Sequence, residues 1–576
     1  MYRTHNLGEL NIKNVGEEVE LSGWIQKIRN LGGMIFIDLR DQFGITQIVI
    51  NDEQLQEQAK ELTTESCIHI CGKVVERSNK NPKMATGEIE VVTGKIEILG
   101  KCKNILPFEV NTDQEVREDL RLEYRFLDLR NKKLHDSILL RSKILKTLRD
   151  KMDELGFAEI QTPILANSSP EGARDYLVPS RLNPGEFYAL PQAPQQFKQL
   201  LMVSGFDKYF QIAPCFRDED PRADRAPGEF YQLDFEMSFA TQEDVFKVIE
   251  EVVPYTFKKF TDWKVDEGPF VRIPYLEAME KYGIDKPDLR NPLIIEDISD
   301  IMGKSDFAPF KDTVVRCIKV ENIEKSNSWY KSMEEYVKGI HGNLGYIQVK
   351  EGMELKSSLT KFMSDEVKNE LIEKMNLHEN DALFIVADKN RCARIMGNLR
   401  TKLGQELDLI DKNRYEFCII NDFPFYEENE ETGAIEFSHN PFSMPKGGLD
   451  ALNNKNPFEI EAFQYDFVCN GYEMASGGVR NHSPEILKKA FELVGYGEDI
   501  VRSKFPSLYE AFKYGAPPHA GMAPGIDRII MLLKDEENIR EIVPFPIGAN
   551  GADAMMGCPS EAFPEQLKEA HIKLDI

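Results

Sequence analysis

Two strand-like segments enclose a strongly charged stretch, and together they predict a β-hairpin. Residues 209–213 are rich in aromatic and β-branched side chains. Residues 230–239 alternate apolar with polar side chains, which is typical of a strand with one polar face. The apolar face carries Leu233, Phe235 and Met237, and the polar face carries Gln232, Asp234 and Glu236. In the loop between the strands, Arg217, Arg222 and Arg225 can bind phosphate or carboxylate oxygens, and Glu219 can accept from an exocyclic amine. The pattern favours a site for a nucleotide and an anionic co-substrate. The alternative is a solvated loop whose acids and bases pair with one another.

A second motif near the C-terminus points to the same chemistry. The turn-rich residues 515–521 lead into Gly525-Ile526-Asp527-Arg528, and the apolar run at 529–533 predicts a buried helix with Arg528 in its first turn. A cation there opposes the helix dipole, so it makes little structural sense, but together with the free N–H groups it forms a good anion site.

These two segments resemble motifs 2 and 3 of the class II aminoacyl-tRNA synthetases. Four further segments, at 124–130, 170–176, 192–198 and 471–480, are similar to those of the bacterial-type aspartyl-tRNA synthetases. The resemblance runs in order through essentially the whole chain. It implies an α+β multidomain fold with an N-terminal OB-type β-barrel, a class II antiparallel sheet with flanking helices, and an inserted α/β domain.

The predicted domains follow from the β-patterned runs and from this resemblance. Residues 1–105 form the barrel, from five runs at 18–24, 34–39, 45–50, 68–75 and 88–98 and a helix near 52–62. A linker covers 106–133, and the catalytic domain is divided into 134–286 and 422–576 by an insertion at 287–421. Apolar residues at helical spacing predict a helix over 134–155 that ends at Gly156, followed by a strand at 157–160. This segment resembles motif 1, which implies a homodimer.

Composition narrows the class of protein. The net charge of −26 argues against a general nucleic-acid binder, although basic groups can still be clustered locally. No apolar run approaches the roughly 18 residues of a membrane span, and residues 1–5 do not begin a signal peptide. We therefore expect a cytoplasmic protein without a membrane partner. The nine cysteines contain no CxxC pair and predict no zinc site.

The resemblance implies a two-step reaction: an aspartate carboxylate attacks the α-phosphorus of ATP, and tRNA then attacks the mixed anhydride. Such chemistry depends on positioning and charge neutralisation, which fits arginines and carboxylates. The implied catalytic residues are Arg217 and Arg528. The implied ATP-binding residues are Arg217, Asp218, Glu219, Phe230, Glu473, Gly525, Ile526, Asp527 and Arg528. The implied aspartate-binding residues are Glu171, Gln195, Lys198, Arg217, Asp234, His439 and Arg480.

The resemblance also implies a magnesium site and an anticodon site. Asp466 and Glu473, predicted on one strand with a bulge at Asn470-Gly471, would hold Mg²⁺; the alternative for Glu473 is an ion pair with a nearby arginine. The residues implied to meet the anticodon of the aspartate tRNA are Arg29, Phe36, Gln47 and Glu90. For Phe36 a place in the barrel core is the alternative. Leu31 resembles the form that discriminates against the asparagine tRNA.

Three positions depart from the family pattern. Gly228 is an extra residue, Ala226 stands where a glutamine is usual, and Asn440 stands where a second histidine is common.

Two other functions stay open. One is a paralogue that forms an adenylate without charging tRNA, which usually lacks the barrel. The other is an inactive nucleic-acid-binding relative, which would have lost Arg217, Glu473 or Arg528.

Overall fold

The computed structural model describes residues 2–31, 33–103, 105–112, 114–168, 173–220, 228–429 and 432–575. The chain forms two compact units, residues 1–136 and 137–576. None of the described helices is both long enough and apolar enough to cross a membrane.

The first unit contains a closed five-stranded barrel with strand order β1-β2-β3-β5-β4. Its strands and helices are β1 (Glu18–Leu31), β2 (Met34–Arg40), β3 (Ile45–Ile50), α1 (Glu53–Ala59), β4 (Cys67–Glu76), β5 (Ile89–Gly100), α2 (Glu118–Glu123) and α3 (Arg125–Asp128). Alternate residues of each strand, such as Ile35, Ile37 and Leu39, fill the barrel interior. The predicted linker packs on this unit, since Arg130 Nη1 donates to Glu65 Oε2 at 3.0 Å.

Strand β1 continues beyond the predicted end at residue 24. Its register against β2 shifts between Ile25 and Lys27. Such a bulge interrupts the two-residue alternation on which the prediction depended.

The second unit is organised around a larger sheet. Its strands are β6 (Ala158–Glu159), β7 (Leu177–Pro179), β8 (Phe187–Ala189), β9 (Lys208–Arg217), β10 (Gly228–Ser238), β11 (Lys264–Val265), β12 (Val271–Pro274), β13 (Ile295–Asp297), β14 (Val315–Val320), β15 (Leu344–Val349), β16 (Leu355–Lys356), β17 (Ala382–Ala387), β18 (Arg414–Tyr415), β19 (Phe417–Asn421), β20 (Tyr426–Glu428), β21 (Ile435–Phe437), β22 (Gln464–Cys469), β23 (Tyr472–Val479) and β24 (His519–Pro524). Its helices are α4 (Lys132–Glu154, which begins in the first unit), α5 (Gln195–Val203), α6 (Gln242–Phe260), α7 (Tyr275–Lys281), α8 (Ser299–Met302), α9 (Asn327–Gly339), α10 (Asp365–Lys374), α11 (Cys392–Glu406), α12 (Gly448–Asn454), α13 (Pro484–Leu493), α14 (Glu498–Lys504), α15 (Pro506–Ala511), α16 (Ile526–Lys534) and α17 (Pro564–Glu569).

The main sheet has eight strands in the order β12-β19-β22-β23-β24-β10-β9-β6. It is antiparallel from β19 to β9, and the edge strands β12 and β6 run parallel to their neighbours. Helices α4, α6 and α16 bury apolar side chains three or four residues apart against it, as with Val245, Ile249 and Val253 of α6. These helices hold one face of the sheet rigid, which fixes the positions of polar side chains on the strands.

The predicted hairpin is present as β9 and β10, paired from Arg217↔Gly228 to Lys208↔Met237. Arg222, Arg225 and Ala226 of its loop lie outside the described residues. The predicted helix at 134–155 is α4, and the positive φ of 79° at Gly156 ends it. The predicted strand at 157–160 is shorter, because only Ala158 and Glu159 pair with β9.

The single strand predicted to carry Asp466 and Glu473 was wrong. These residues lie on two antiparallel strands, β22 and β23, joined at Asn470 and Gly471 with φ of 52° and 86°. Two successive positive φ values are those of a type I′ hairpin turn, for which Asn-Gly is the favoured pair.

The inserted segment forms its own five-stranded sheet, in the order β13-β14-β17-β15-β16, with helices packed on both faces. By sheet membership it ends before Phe417, a few residues short of the predicted bound at 421, because β19 belongs to the main sheet.

Candidate active site

A cavity of about 390 Å³ opens on the main sheet. The predicted site residues that line it are Gln195, Lys198, Arg217, Glu219, Phe230, Asp234, His439, Glu473, Arg480, Gly525, Asp527 and Arg528. Asp218, Asp466 and Ile526 are not among its lining residues, and Glu171 lies outside the described residues. The structure therefore brings most of the predicted side chains together around one space.

Four buried charged residues form the inner wall, and we call them the buried quartet: Lys198, Asp234, Glu236 and Arg480. Lys198 Nζ donates to Asp234 Oδ1 at 2.6 Å and lies 3.4 Å from Glu236 Oε2. Arg480 donates to the two carboxylate oxygens of Glu236 from Nε at 2.9 Å and from Nη2 at 3.2 Å. Each side chain is at most 5% exposed, so two cations and two anions balance one another away from water.

The quartet fixes the charge of Glu236. Burial acts to raise the pKa of this carboxyl, but the charges of Arg480 and Lys198 outweigh it and lower the pKa. The same carboxylate raises the pKa of Arg480 against the opposing effect of burial. Sequence reasoning did not assign Glu236 to the site. The signal was available, because Asp234 and Glu236 are two residues apart on β10 and so share a face.

Arg217 and Phe230 form the outer wall on the hairpin. Arg217 is paired with Gly228 across the hairpin, and Phe230 with Cys215, so their side chains lie diagonally on the same face. The Arg217 guanidinium carbon lies 4.9 Å from the centre of the Phe230 ring. The Glu219 backbone N–H donates to the Arg217 carbonyl at 3.0 Å, which turns the chain at the end of β9.

Arg528 lies in the first turn of α16, as predicted, with its guanidinium carbon 5.1 Å from the centre of the Tyr472 ring. The neighbouring Asp527 forms an ion pair with Arg141 of α4 and accepts from the Tyr231 N–H at 3.4 Å. Asp527 thus ties the start of α16 to α4 and β10, and Arg141 was missed from sequence. The side chain of Ile526 is fully buried in the core, so only its backbone can reach a ligand.

An acidic edge is formed by the hairpin of β22 and β23. Asp466 is buried and accepts from Ser476 Oγ at 2.6 Å, while Glu473 is 40% exposed and lies 3.2 Å from Lys286 Nζ. Burial raises the pKa of Asp466 well above its usual range, and the charge of Glu473 adds to this effect. Glu473 thus forms an ion pair, but its partner is Lys286, which was not predicted, and not the arginine of the stated alternative.

Two other predicted site residues, His439 and Asp218, and the departing position Asn440 have simple surroundings. His439 packs edge-on to Phe423, with ring centres 4.8 Å apart. Asn440, at the position where a histidine is common, donates to Gln464 Oε1 at 3.1 Å. The Asp218 N–H donates to the Arg174 carbonyl at 3.0 Å, and its carboxylate faces Arg174 rather than the cavity.

The barrel carries a polar cluster centred on Gln47, which is buried. Gln47 Oε1 accepts from Arg29 Nη2 at 3.1 Å and from Arg77 Nη2 at 2.8 Å, and Gln47 Nε2 donates to Glu90 Oε2 at 2.6 Å. Phe36 lies opposite Arg29 on β2, half-buried on the outer side of the barrel, while Ile35 and Ile37 point into the core. Three of the predicted anticodon residues are thus joined by hydrogen bonds, and Arg77 joins them.

Two family models match the sequence. Residues 117–549 match the tRNA synthetases class II (D, K and N), and residues 19–99 match the OB-fold nucleic acid binding domain.

Within the described residues, no group of three or more His, Cys, Asp or Glu side chains could hold a metal ion.

Curated relatives match over the full length. The chain is 54% identical over 589 residues to the aspartate--tRNA(Asp/Asn) ligase of Rickettsia bellii, covering 100% of this chain and 98% of that protein. It is 51% identical over 595 residues to the protein of the same name from Gluconobacter oxydans, with the same coverage.

Solved structures share the fold. The asparaginyl-tRNA synthetase from Pyrococcus horikoshii with asparaginyl-adenylate gives a TM-score of 0.58 at 18% identity, covering 95% of this chain and 98% of that one. The aspartyl tRNA synthetase from Entamoeba histolytica gives 0.58 at 20% identity, covering 94% and 91%. The predicted fold class, with its barrel, antiparallel sheet and flanking helices, is confirmed.

Proposed function

Because this chain belongs to the class II tRNA synthetases (D, K and N), we propose that it joins aspartate to tRNA through an aspartyl-adenylate formed from ATP. The observation that carries this function is the buried quartet beside Arg217, Phe230 and Arg528. It places cations suited to a dicarboxylic amino acid next to groups suited to a nucleotide. Relatives named aspartate--tRNA(Asp/Asn) ligases support the choice of aspartate within this family.

Lys198 and Arg480 select the side-chain carboxylate of aspartate. Both cations are held by Asp234 and Glu236 and border the cavity. Asparagine would place a neutral amide against them, with its NH₂ group facing N–H donors, and buried donors left unpaired are costly. Asp234 and Glu171 supply negative charge for the α-ammonium group, and Gln195 supplies a neutral amide oxygen as an acceptor.

The nucleotide binds between the hairpin and α16. Arg217 neutralises charge at the α-phosphate and the attacking carboxylate, and Phe230 provides a stacking face for the adenine. Glu219 accepts from the adenine amine, and Arg528 binds the γ-phosphate with the N–H groups at the start of α16. The side chains orient the attacking carboxylate in line with the leaving pyrophosphate, and the step needs no protein nucleophile.

Asp466 and Glu473 are suited to Mg²⁺. The two carboxylates repel each other, so the charge of Glu473 adds to the rise in the pKa of Asp466. A divalent cation bound between them would relieve this repulsion. A site with two carboxylates fits Mg²⁺, which is usually bound by one or two carboxylates together with substrate phosphates and waters. When bound, the ion neutralises phosphate charge.

The tRNA partner meets the barrel through Phe36 and the hydrogen-bonded set Arg29, Gln47 and Glu90. The half-buried ring of Phe36 offers a stacking surface for an anticodon base, and Arg29 and Glu90, held by the buried Gln47, offer donors and acceptors for base edges. A homodimer and a cytoplasmic location complete the proposal.

A direct test is ATP–pyrophosphate exchange with the purified chain and each of aspartate, asparagine and lysine. Exchange with aspartate alone, followed by aspartylation of tRNA, is expected. Exchange without tRNA charging would favour the adenylate-forming paralogue, and no exchange would favour the inactive relative.

A second substrate, the asparagine tRNA, is favoured by the names of the relatives from Rickettsia bellii and Gluconobacter oxydans, which include both tRNAs. Leu31 is 60% exposed at the end of β1. Because it resembles the form that discriminates against the asparagine tRNA, it favours the aspartate tRNA alone. Charging of the two purified tRNAs by the same enzyme decides between them.

A further inference from the structure

A row of buried amide and imidazole groups connects a backbone carbonyl to the cavity wall. His519 Nδ1 lies 2.8 Å from the Pro517 carbonyl oxygen, and His519 Nε2 lies 3.1 Å from Gln199 Nε2. Gln195 Nε2 in turn donates to Gln199 Oε1 at 3.1 Å. His519 and Gln199 are both 0% exposed, whereas Gln195 lines the cavity.

The direction of each hydrogen bond in this row follows from the first. A carbonyl oxygen only accepts, so Nδ1 of His519 must carry a proton, and a neutral imidazole then has its lone pair on Nε2. Gln199 must turn its NH₂ group to that lone pair, which leaves its oxygen to accept from Gln195. Burial, the largest influence, lowers the pKa of His519 despite the nearby charge of Glu236, which keeps the ring neutral.

We infer that His519 and Gln199 are positioning residues that fix the amide of Gln195 with its oxygen available to the cavity, as an acceptor for the α-ammonium group of the substrate. The inference rests on the proposed function, which supplies an amino acid as the ligand. In the reversed orientation Gln195 would present its NH₂ group to the ammonium, a donor against a donor. The row therefore makes the site prefer a substrate with an α-amino group over the same diacid without one.

Helix α5 couples this preference to the recognition of the carboxylate. Gln195, Lys198 and Gln199 lie three and four residues apart, so they share one face of the helix. Lys198 joins the buried quartet from this face, and Gln195 enters the cavity one turn earlier. Helix α5 thus contributes to the recognition of both the side-chain carboxylate and the α-ammonium group of the substrate.

The test compares aspartate with succinate, which lacks only the amino group. In ATP–pyrophosphate exchange, His519→Phe removes the acceptor at Nε2, and Gln199→Met removes the middle amide at similar volume. Each variant should raise the KM for aspartate about tenfold or more, the scale of a hydrogen bond to a charged group. The inhibition constant of succinate and the KM for ATP should change less than about twofold, since neither ligand contacts Gln195 through an ammonium group.

His519→Gln, whose amide can donate to Pro517 and accept from Gln199, should remain closer to the wild type than His519→Phe. The matched control is His482→Phe. His482 is a neighbouring histidine whose ring centre is 6.2 Å from that of His519, and it contacts the Arg480 carbonyl instead of the row. It should leave the ratio of aspartate to succinate affinity unchanged.

An equal loss of aspartate and succinate binding in both variants, or no change in either, would overturn the inference. A wild type without aspartate-dependent exchange would instead overturn the proposed function on which the inference rests. Thermal melting of each variant identifies loss of folding, and either of the two variants alone is sufficient for the comparison.

Discussion

Lys286 Nζ lies 3.2 Å from Glu473 Oε2, and this ion pair joins the segment that leads into the inserted domain to the hairpin at the edge of the active site. Gly471, in the turn of that hairpin, also lies next to Asp288: a Cβ added to Gly471 would be in ordinary van der Waals contact with the Asp288 Cβ, at 3.4 Å. The inserted domain thus begins directly beside the carboxylates proposed to hold Mg²⁺.

Removal of Lys286 should therefore change the requirement for Mg²⁺. The lysine is a cation next to a proposed metal ligand, and it opposes the arrival of a second cation. Lys286→Met should lower the Mg²⁺ concentration for half-maximal pyrophosphate exchange by roughly three- to tenfold, on the scale of a partly screened charge interaction. Mn²⁺ binding measured by electron paramagnetic resonance without substrates should tighten in parallel.

The matched control for this change is Lys281→Met. Lys281 lies at the end of α7 and pairs with Glu277 at 2.6 Å on the surface. Loss of the Lys281 charge should leave the Mg²⁺ dependence of exchange as in the wild type. A wild-type Mg²⁺ dependence in Lys286→Met as well would contradict the role given to Lys286.

Glu236→Gln should damage both folding and aspartate binding. The substitution leaves Lys198 and Arg480 buried with one carboxylate between them, and breaking a buried pair costs about 3–5 kcal/mol. We expect a lower melting temperature and a raised KM for aspartate, measured by calorimetry and by pyrophosphate exchange. Glu229→Gln, on an exposed position of the same strand, serves as the control and should change neither.

Most site residues were predicted from the resemblance to the family, and a local pattern in the sequence supported only some of them. The alternation in β10 placed Asp234 on a polar face, and the apolar run after Arg528 predicted α16. Lys286 and Arg141 could not be found in this way, because they meet Glu473 and Asp527 only through contacts between segments far apart in the chain. The Asn470-Gly471 turn was predictable from its residue pair and was misinterpreted as a bulge.

Arg217→Ala should depress aspartate-dependent pyrophosphate exchange by about two orders of magnitude or more, as expected for the loss of one charge-stabilising donor. Arg528→Ala should act similarly. The control is Arg502→Ala, since Arg502 lies on the surface of α14 and pairs with Glu498. Near-normal exchange in Arg217→Ala would remove the hairpin from the proposed mechanism.

Acid should destabilise the catalytic unit partly through His519. Its pKa is lowered in the folded protein, so the unfolded chain takes up a proton near the ordinary value of about 6.5 before the native ring does. Stability is then fully present above that pH and is lost as pH falls below it, by up to about 1.4 kcal/mol per pH unit. Nearby charges also act on His519. The charge of Glu236 favours protonation of the ring, whereas Arg480 and His482 oppose it.

Melting curves at pH 7.5 and 5.5 test this pH dependence. The wild type should lose more stability between the two values than His519→Gln, which has no titratable group there. An equal loss in both proteins would mean that His519 keeps its ordinary proton affinity when folded.

Phe36→Ala separates tRNA recognition from adenylate formation. Phe36 lies on the outer face of the barrel opposite Arg29, and if its ring stacks on an anticodon base, its loss should weaken tRNA binding by roughly 1–3 kcal/mol. Aminoacylation efficiency should fall by about one to two orders of magnitude, while pyrophosphate exchange, which needs no tRNA, stays near the wild-type rate.

The neighbouring Ile37 is 0% exposed in the barrel core, so Ile37→Ala should show the opposite pattern, with a loss of about 2–5 kcal/mol in barrel stability. Thermal melting and tRNA charging are measured on the same samples. A large melting shift in Phe36→Ala with unchanged charging would return Phe36 to a structural role and leave the proposed anticodon surface without its stacking residue.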